Sequence, residues 1–248
     1  MRFHRIKRTV EFYIDESGGI LNDSNIFING CVKTDSPGAI KQALLQLLAE
    51  LSDDLYFHEN IEDVLKHGLH AVKDKHDVRA QVYRILPMLN FRSYFVLLNK
   101  RSGYFNHLMD HGAGMHDIYL LTLKSLVTDR IDRRDRELKY NFSFEELSFP
   151  KVNQQQLLDD FFKPLVAKFD ITYQVQKKSF VNLAVTDYMN YILFNLFDGK
   201  KKPEERMFSN FELMRPKIAL LHYLNQDVYL SRSATKITIE NIYKLLGG

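Results

Sequence analysis

The chain of 248 residues is poor in cysteine, in net charge and in long apolar runs. Its single cysteine, Cys31, cannot close an internal disulfide, and no Cys/His set has zinc spacing, so a reducing cytoplasm is the expected setting. Cys31 lies in an apolar run with Ile26, Phe27, Ile28 and Val32 and is expected in the core. No apolar run reaches the roughly 18 residues needed to span a bilayer, so no membrane partner is expected. The basic stretch 1–8 has no apolar segment behind it before Asp15 and does not read as a secretion signal. A net charge of +3 alone is weak evidence for a nucleic-acid partner. The chain has no Gly-x4-Gly-Lys-Ser/Thr phosphate loop, no internal repeat and no visible Ser-His-Asp set.

What is present is a full complement of core-forming residues, 45% apolar and 12% aromatic, enough for one α/β domain with additions or two small domains. Residues 10–19 organise the rest. Val10, Phe12 and Ile14 alternate with Glu11, Tyr13 and Asp15, and Ser17-Gly18-Gly19 stops the strand. An acidic pair, Asp15-Glu16, therefore stands where a central strand ends. It reads as a solvated turn, as the metal-holding strand of an ATPase (which lacks its phosphate loop here), or as the first carboxylate of a phosphoryl-transfer site. Ser17 is expected to shape the turn through local backbone bonds.

Further strands are predicted over 25–33, 91–99, 138–146 and 171–176, with a hairpin turn at 22–24. Asp35-Ser36-Pro37 starts a helix running to about 51, and Asp77 caps another over 78–89. Between these helices, residues 56–77 are dense in His and charge: His58, Glu59, His67, His70, Asp74 and His76. Residues 106–115, with two glycines and two histidines, read as a loop, followed by a helix over 117–132. The mixed block 130–136 is either a solvated helix end or a binding patch. A helix is predicted over 153–169, and one over 180–197 that is apolar nearly all round. Residues 198–203 form the best internal boundary. The remainder reads as a helical appendage, with helices near 208–224 and 238–246 around an extended piece at 228–230.

The 138–146 strand ends in a second acidic pair, Glu145-Glu146. Strand parity favours Glu145 on the polar side, and a one-residue shift would select Glu146. In the apolar helix the one ionisable residue is Asp187, at the edge of a stripe of Asn182, Thr186 and Asn190 that either faces water or is buried with a partner. Carboxylates from separate elements are what two-metal phosphoryl transfer requires.

The layout β-β-(helical insert)-β-α-β-α-β-α, with acids at those points, is that of the ribonuclease H-like fold. Three motifs carry a resemblance: Tyr13-Ile14-Asp15-Glu16-Ser17-Gly18, Phe57-His58, and Ser179-x-x-Asn182-x4-Asp187-Tyr188. Through them the chain, over about residues 9–200, resembles domain of unknown function family 3800, a bacterial and archaeal family of ribonuclease H-like nucleases. The resemblance implies an α/β fold with a mixed five-stranded sheet, a ribonuclease H-like domain over 1–202 and the appendage over 203–248 packed on it. It implies a Mg²⁺- or Mn²⁺-dependent hydrolase cleaving RNA or DNA, with Asp15, Glu145 and Asp187 as metal ligands and Glu16 assisting. Where the family shows an Asp-led acidic pair, this chain has Glu145-Glu146. His58 would orient water or phosphate, or be structural. The alternative implied is a catalytically silent module binding nucleic acid or a partner protein, itself included as a homodimer, in defence against phage or mobile elements. Of the remaining residues, His107, His111 and His116 are candidates to touch substrate. Lys100-Arg101, Lys177-Lys178 and Lys200-Lys201-Lys202 would line a phosphate-tracking groove or be solvated.

Overall fold

The computed structural model describes residues 8–128, 130–131, 137–233 and 235–247, with backbone alone for His58, Glu59 and Asn60. The expected acidic-basic block at 130–136 lies largely outside the described residues. A seven-stranded mixed sheet runs through the molecule. In chain order its strands are β1 (Arg8–Ser17), β2 (Ile26–Thr34), β3 (Arg92–Asn99), β4 (Leu138–Glu145), β5 (Asp170–Gln176), β6 (Ile218–Tyr223) and β7 (Val228–Ser231). In space they lie β5-β4-β1-β2-β3-β6-β7. The β1–β2, β2–β3 and β6–β7 pairs are antiparallel; β1–β4, β4–β5 and β3–β6 are parallel.

The helices cover both faces: α1 (Pro37–Asp53), α2 (His58–His67), α3 (His76–Ile85), α4 (Gly103–Asp110), α5 (Met115–Thr128), α6 (Gln154–Val166), α7 (Leu183–Phe197), α8 (Glu205–Met214) and α9 (Ile239–Leu246). Alternation along β1 explains the two cores. Val10, Phe12 and Ile14 enter one with α5 and α6, while Tyr13 enters the other with α1, α3, α7 and α8. Both faces being covered, β2 is buried along nearly its whole length, and Cys31 with it. Burial pushes the Cys31 thiol up to about 12, which leaves it inert. Among the described residues no helix is long and apolar enough to cross a membrane.

The sheet differs from the expected five strands because the chain after 203 is not simply a helical appendage. The predicted 208–224 helix ends at Met214, where Pro216 cannot continue it; a 3₁₀ turn at Arg215–Lys217 follows. Ile218–Tyr223 then pairs in parallel with β3, and Val228–Ser231 pairs back onto it. The first half of the expected loop at 106–115 belongs to α4, which Ser102 starts by accepting the Phe105 N–H at 3.1 Å.

Candidate active site

Three elements carry the sequence-predicted acids to one end of the sheet. Ile14 lies opposite Phe144 across the parallel β1–β4 pair, so the next residue on each strand, Asp15 and Glu145, are neighbours on one face. Both are buried, and they interact directly. Glu146 is exposed, so Glu145 is the residue of that pair that faces Asp15.

The third element, α7, is docked on β1 by its polar stripe. Thr186 donates to the Tyr13 carbonyl at 3.0 Å, Asn190 to the Asp15 carbonyl at 2.9 Å, and Asn182 to the Tyr13 hydroxyl at 2.8 Å. The stripe is buried and faces the sheet, which removes its water-facing reading. Close approach is possible because Gly30 lies opposite Asp15 on β2; a Cβ there would overlap the Asn190 side chain.

One helical step further round, Asp187 leaves the stripe and turns to residues 69–74. Its Oδ2 accepts the Ala71 N–H at 2.7 Å and faces His70 Nδ1 at 3.0 Å. Asp74 braces that segment, accepting the His70 N–H at 2.9 Å and the Tyr188 hydroxyl. On the other flank the Lys178 ammonium pairs with Glu145 Oε1.

Four carboxylates thus share one field. Asp15 is held well above the usual carboxylate range by burial first, then by repulsion from Glu16, Asp187 and Glu145. Burial and the Glu145 charge push Glu16 up to about 7, partly offset by Lys178. Burial would lower the Lys178 ammonium, but Glu145, Asp15 and Glu16 outweigh it and hold it above its ordinary value. The bond to Asp187 raises His70 against the opposing effect of burial. Among the described residues, however, no three His, Cys, Asp or Glu side chains are arranged to hold a metal ion.

His70 and Lys178 were not singled out in the sequence. The density of His and Asp over 56–77 was the available signal for His70; Lys178 read as one of a Lys pair that would line a phosphate-tracking groove or be solvated. The His58 side chain lies outside the described ones, although its backbone opens α2. His111 bonds the His107 carbonyl at 2.8 Å and His116 faces Asp117 at 3.5 Å, so these histidines are engaged locally. Of the other basic groups, two lysines are engaged locally. Lys100 is buried and donates to the carbonyls of Gly19, Ile20 and Asn22, while Lys200 pairs with Asp23 at 2.6 Å. Ser24, not Ser17, braces the turn after the acidic pair, donating to the Gly18 carbonyl at 2.7 Å.

One Ser-His-Asp set does exist, assembled from α5 and the β6–β7 hairpin: Ser125 stands 2.5 Å from His222 Nδ1, whose Nε2 faces Asp227 at 2.9 Å. It lacks the features of a catalytic triad. Asp227 is 81% exposed, and Ser125 sits within α5 rather than on an open turn.

Comparison with protein-family models and with curated proteins finds no match. Function is therefore read from the side chains themselves.

Proposed function

We propose that the chain is a metal-dependent nuclease hydrolysing phosphodiester bonds of RNA or DNA at the Asp15–Glu16–Glu145–Asp187 cluster. The observation that carries this reading is the crowding of four carboxylates from β1, β4 and α7, two of them displaced toward protonation by burial first and by their neighbours second. The strand order β3-β2-β1-β4-β5, antiparallel on one side of β1 and parallel on the other, supports a ribonuclease H-like centre within the larger sheet.

The donor set fits Mg²⁺ or Mn²⁺ by chemistry, being hard anionic oxygens in excess of nearby cations. Asp15, Glu145 and Asp187 would hold the ion once Lys178 and His70 release their partners. A divalent ion bound there supplies an activated water and offsets charge on the leaving oxygen. Glu16, with its carboxyl near neutrality, is suited to take a proton from water. Lys178 and a charged His70 flank the carboxylates and would face the phosphate's negative oxygens.

The test is cleavage of single- and double-stranded RNA, DNA and hybrid in Mg²⁺ and Mn²⁺. Activity is expected, and is expected to vanish in Asp15→Asn and Asp187→Asn with folding retained. No cleavage of any substrate in either metal would remove the nuclease reading. A second reading, a silent module binding nucleic acid or a partner protein, is favoured by one observation: Lys178 on Glu145 and His70 on Asp187 already neutralise two of the four acids. Thermal stabilisation separates the two, since an ion at 100 times its dissociation constant adds about 2.7 kcal/mol. A silent scaffold shows no such gain.

A further inference from the structure

The end of the sheet remote from the carboxylates carries the opposite charge. Lys33 is next to last in β2, Arg92 opens β3 directly across from it, Lys217 immediately precedes β6, and Arg232 follows β7. Two cavities open along this end. One, of about 280 Å³, is lined by Arg8, Lys33 and Arg92 with Phe91 and Tyr94, against a single carboxylate, Asp35. The other, of about 390 Å³, is lined by Arg215, Arg232 and Lys236 with no carboxylate. Lys217 joins them: its ammonium lies 5.3 Å from the centroid of Phe91, while the chain on either side of it, Pro216 and Ile218, lines the second cavity.

These cations are held by neutral groups. Lys217 donates to the Leu89 carbonyl, Arg232 to the carbonyls of Pro216 and Ile218, and Lys33 lies 5.7 Å from the Phe12 ring centroid. Arg215 is paired, with Glu212 at 2.9 Å. Among the described residues, Lys33, Arg92, Lys217, Arg232 and Lys236 have no carboxylate within ion-pair distance. A carbonyl or a ring fixes where a cation sits without cancelling its charge, so the edge keeps a surplus of positive field. Lys33 responds to it: burial, then repulsion from Arg130, Arg8 and Arg92, lowers its affinity for its proton.

We propose that this edge is a second binding surface, one that takes the phosphate backbone of a nucleic-acid strand independently of the carboxylate site. From β2 to β7 the cations span three strand spacings, about 14 Å. One strand of a duplex carries about four phosphates over that length. The cations stand on successive strands at a spacing that suits the repeating phosphates of one polymer, which favours a nucleic acid over separate lipid headgroups. The surface stands whether or not the carboxylates cleave anything.

The experiment is fluorescence anisotropy of the full chain with labelled 20-nucleotide RNA and DNA strands, in EDTA, over a salt series. Five contributing cations predict a slope of log affinity on log salt near about −3.5 for a single strand. Lys33→Ala/Arg92→Ala and Arg232→Ala/Lys236→Ala are each expected to weaken binding at least tenfold and to make the slope shallower by about 1.4. The Lys163→Ala/Lys168→Ala pair, on and just past α6, removes the same charge elsewhere and should stay within twofold. Arg92→Gln/Arg232→Gln repeats the test with a smaller change of side-chain volume at two exposed positions. Equal binding by wild type and both edge variants overturns the proposal, as does an equal loss in the α6 control. Phosphatidylserine vesicles run alongside; edge variants that lose vesicles and keep oligonucleotides also overturn it.

Discussion

The two ends of the sheet handle charge in opposite ways. At the carboxylate end, like charges are crowded inward and partly answered by their own chain, through Lys178 on Glu145 and His70 on Asp187. At the other end, cations face outward and are answered by carbonyls and rings. An inward cluster must change its protonation or acquire cations, because repulsion grows as water is excluded. An outward row simply waits for a polyanion. On the two proposals above, the first end would act on a single phosphodiester bond and the second would hold the backbone of a longer strand.

The contrast breaks most completely if α7 is prised from the sheet. Gly30→Val would overlap Asn190, push Asp187 away from Asp15 and cost about 3 kcal/mol of stability in denaturant unfolding. Cleavage and any metal-induced stabilisation should disappear with it. Next in size is pH dependence. The Glu16 carboxyl is raised from 4.5 to about 7, so the folded state holds a proton that the unfolded chain has lost. Its contribution is full below pH 4.5 and is lost as pH rises through 7, by at most about 3 kcal/mol without metal. Glu16→Gln should flatten that fall in unfolding curves taken across the window. A smaller effect is expected for Lys178→Ala, which leaves buried Glu145 without its ion pair; because Lys178 is half exposed, the loss is about 1 kcal/mol near neutral pH. Smallest is the cationic edge, where Arg92→Ala or Lys236→Ala should alter thermal stability by no more than about 0.5 kcal/mol. A large change there would mean that those cations are structural, and the contrast between the ends would fail.

Much of this was legible in the sequence where one residue broke a pattern. Asp15 ends an alternating strand, Glu145 ends another, and Asp187 interrupts an apolar helix; each is conspicuous without a partner in view. Their neighbours were not. His70 meets Asp187 across 117 residues and Lys178 meets Glu145 across a strand, so nothing near either residue announces its role. The tail misled for a different reason. Apolar spacing over 208–224 suits a helix, and Pro216 was outweighed, although it ends α8 and frees 218–223 to pair with β3. Local period decides type only while no distant strand edge competes for the same backbone.

That last pairing has a practical side. β6 hydrogen-bonds along one flank of β3 and carries Ile218 and Leu221 into the same core as Phe95 and Leu97. A chain cut at the tempting boundary near 202 would leave that flank of β3 as a bare ribbon of donors and acceptors beside uncovered hydrocarbon, a template on which copies could stack. Such a fragment should form aggregates on expression, while the uncut chain keeps its own last strands as a stopper.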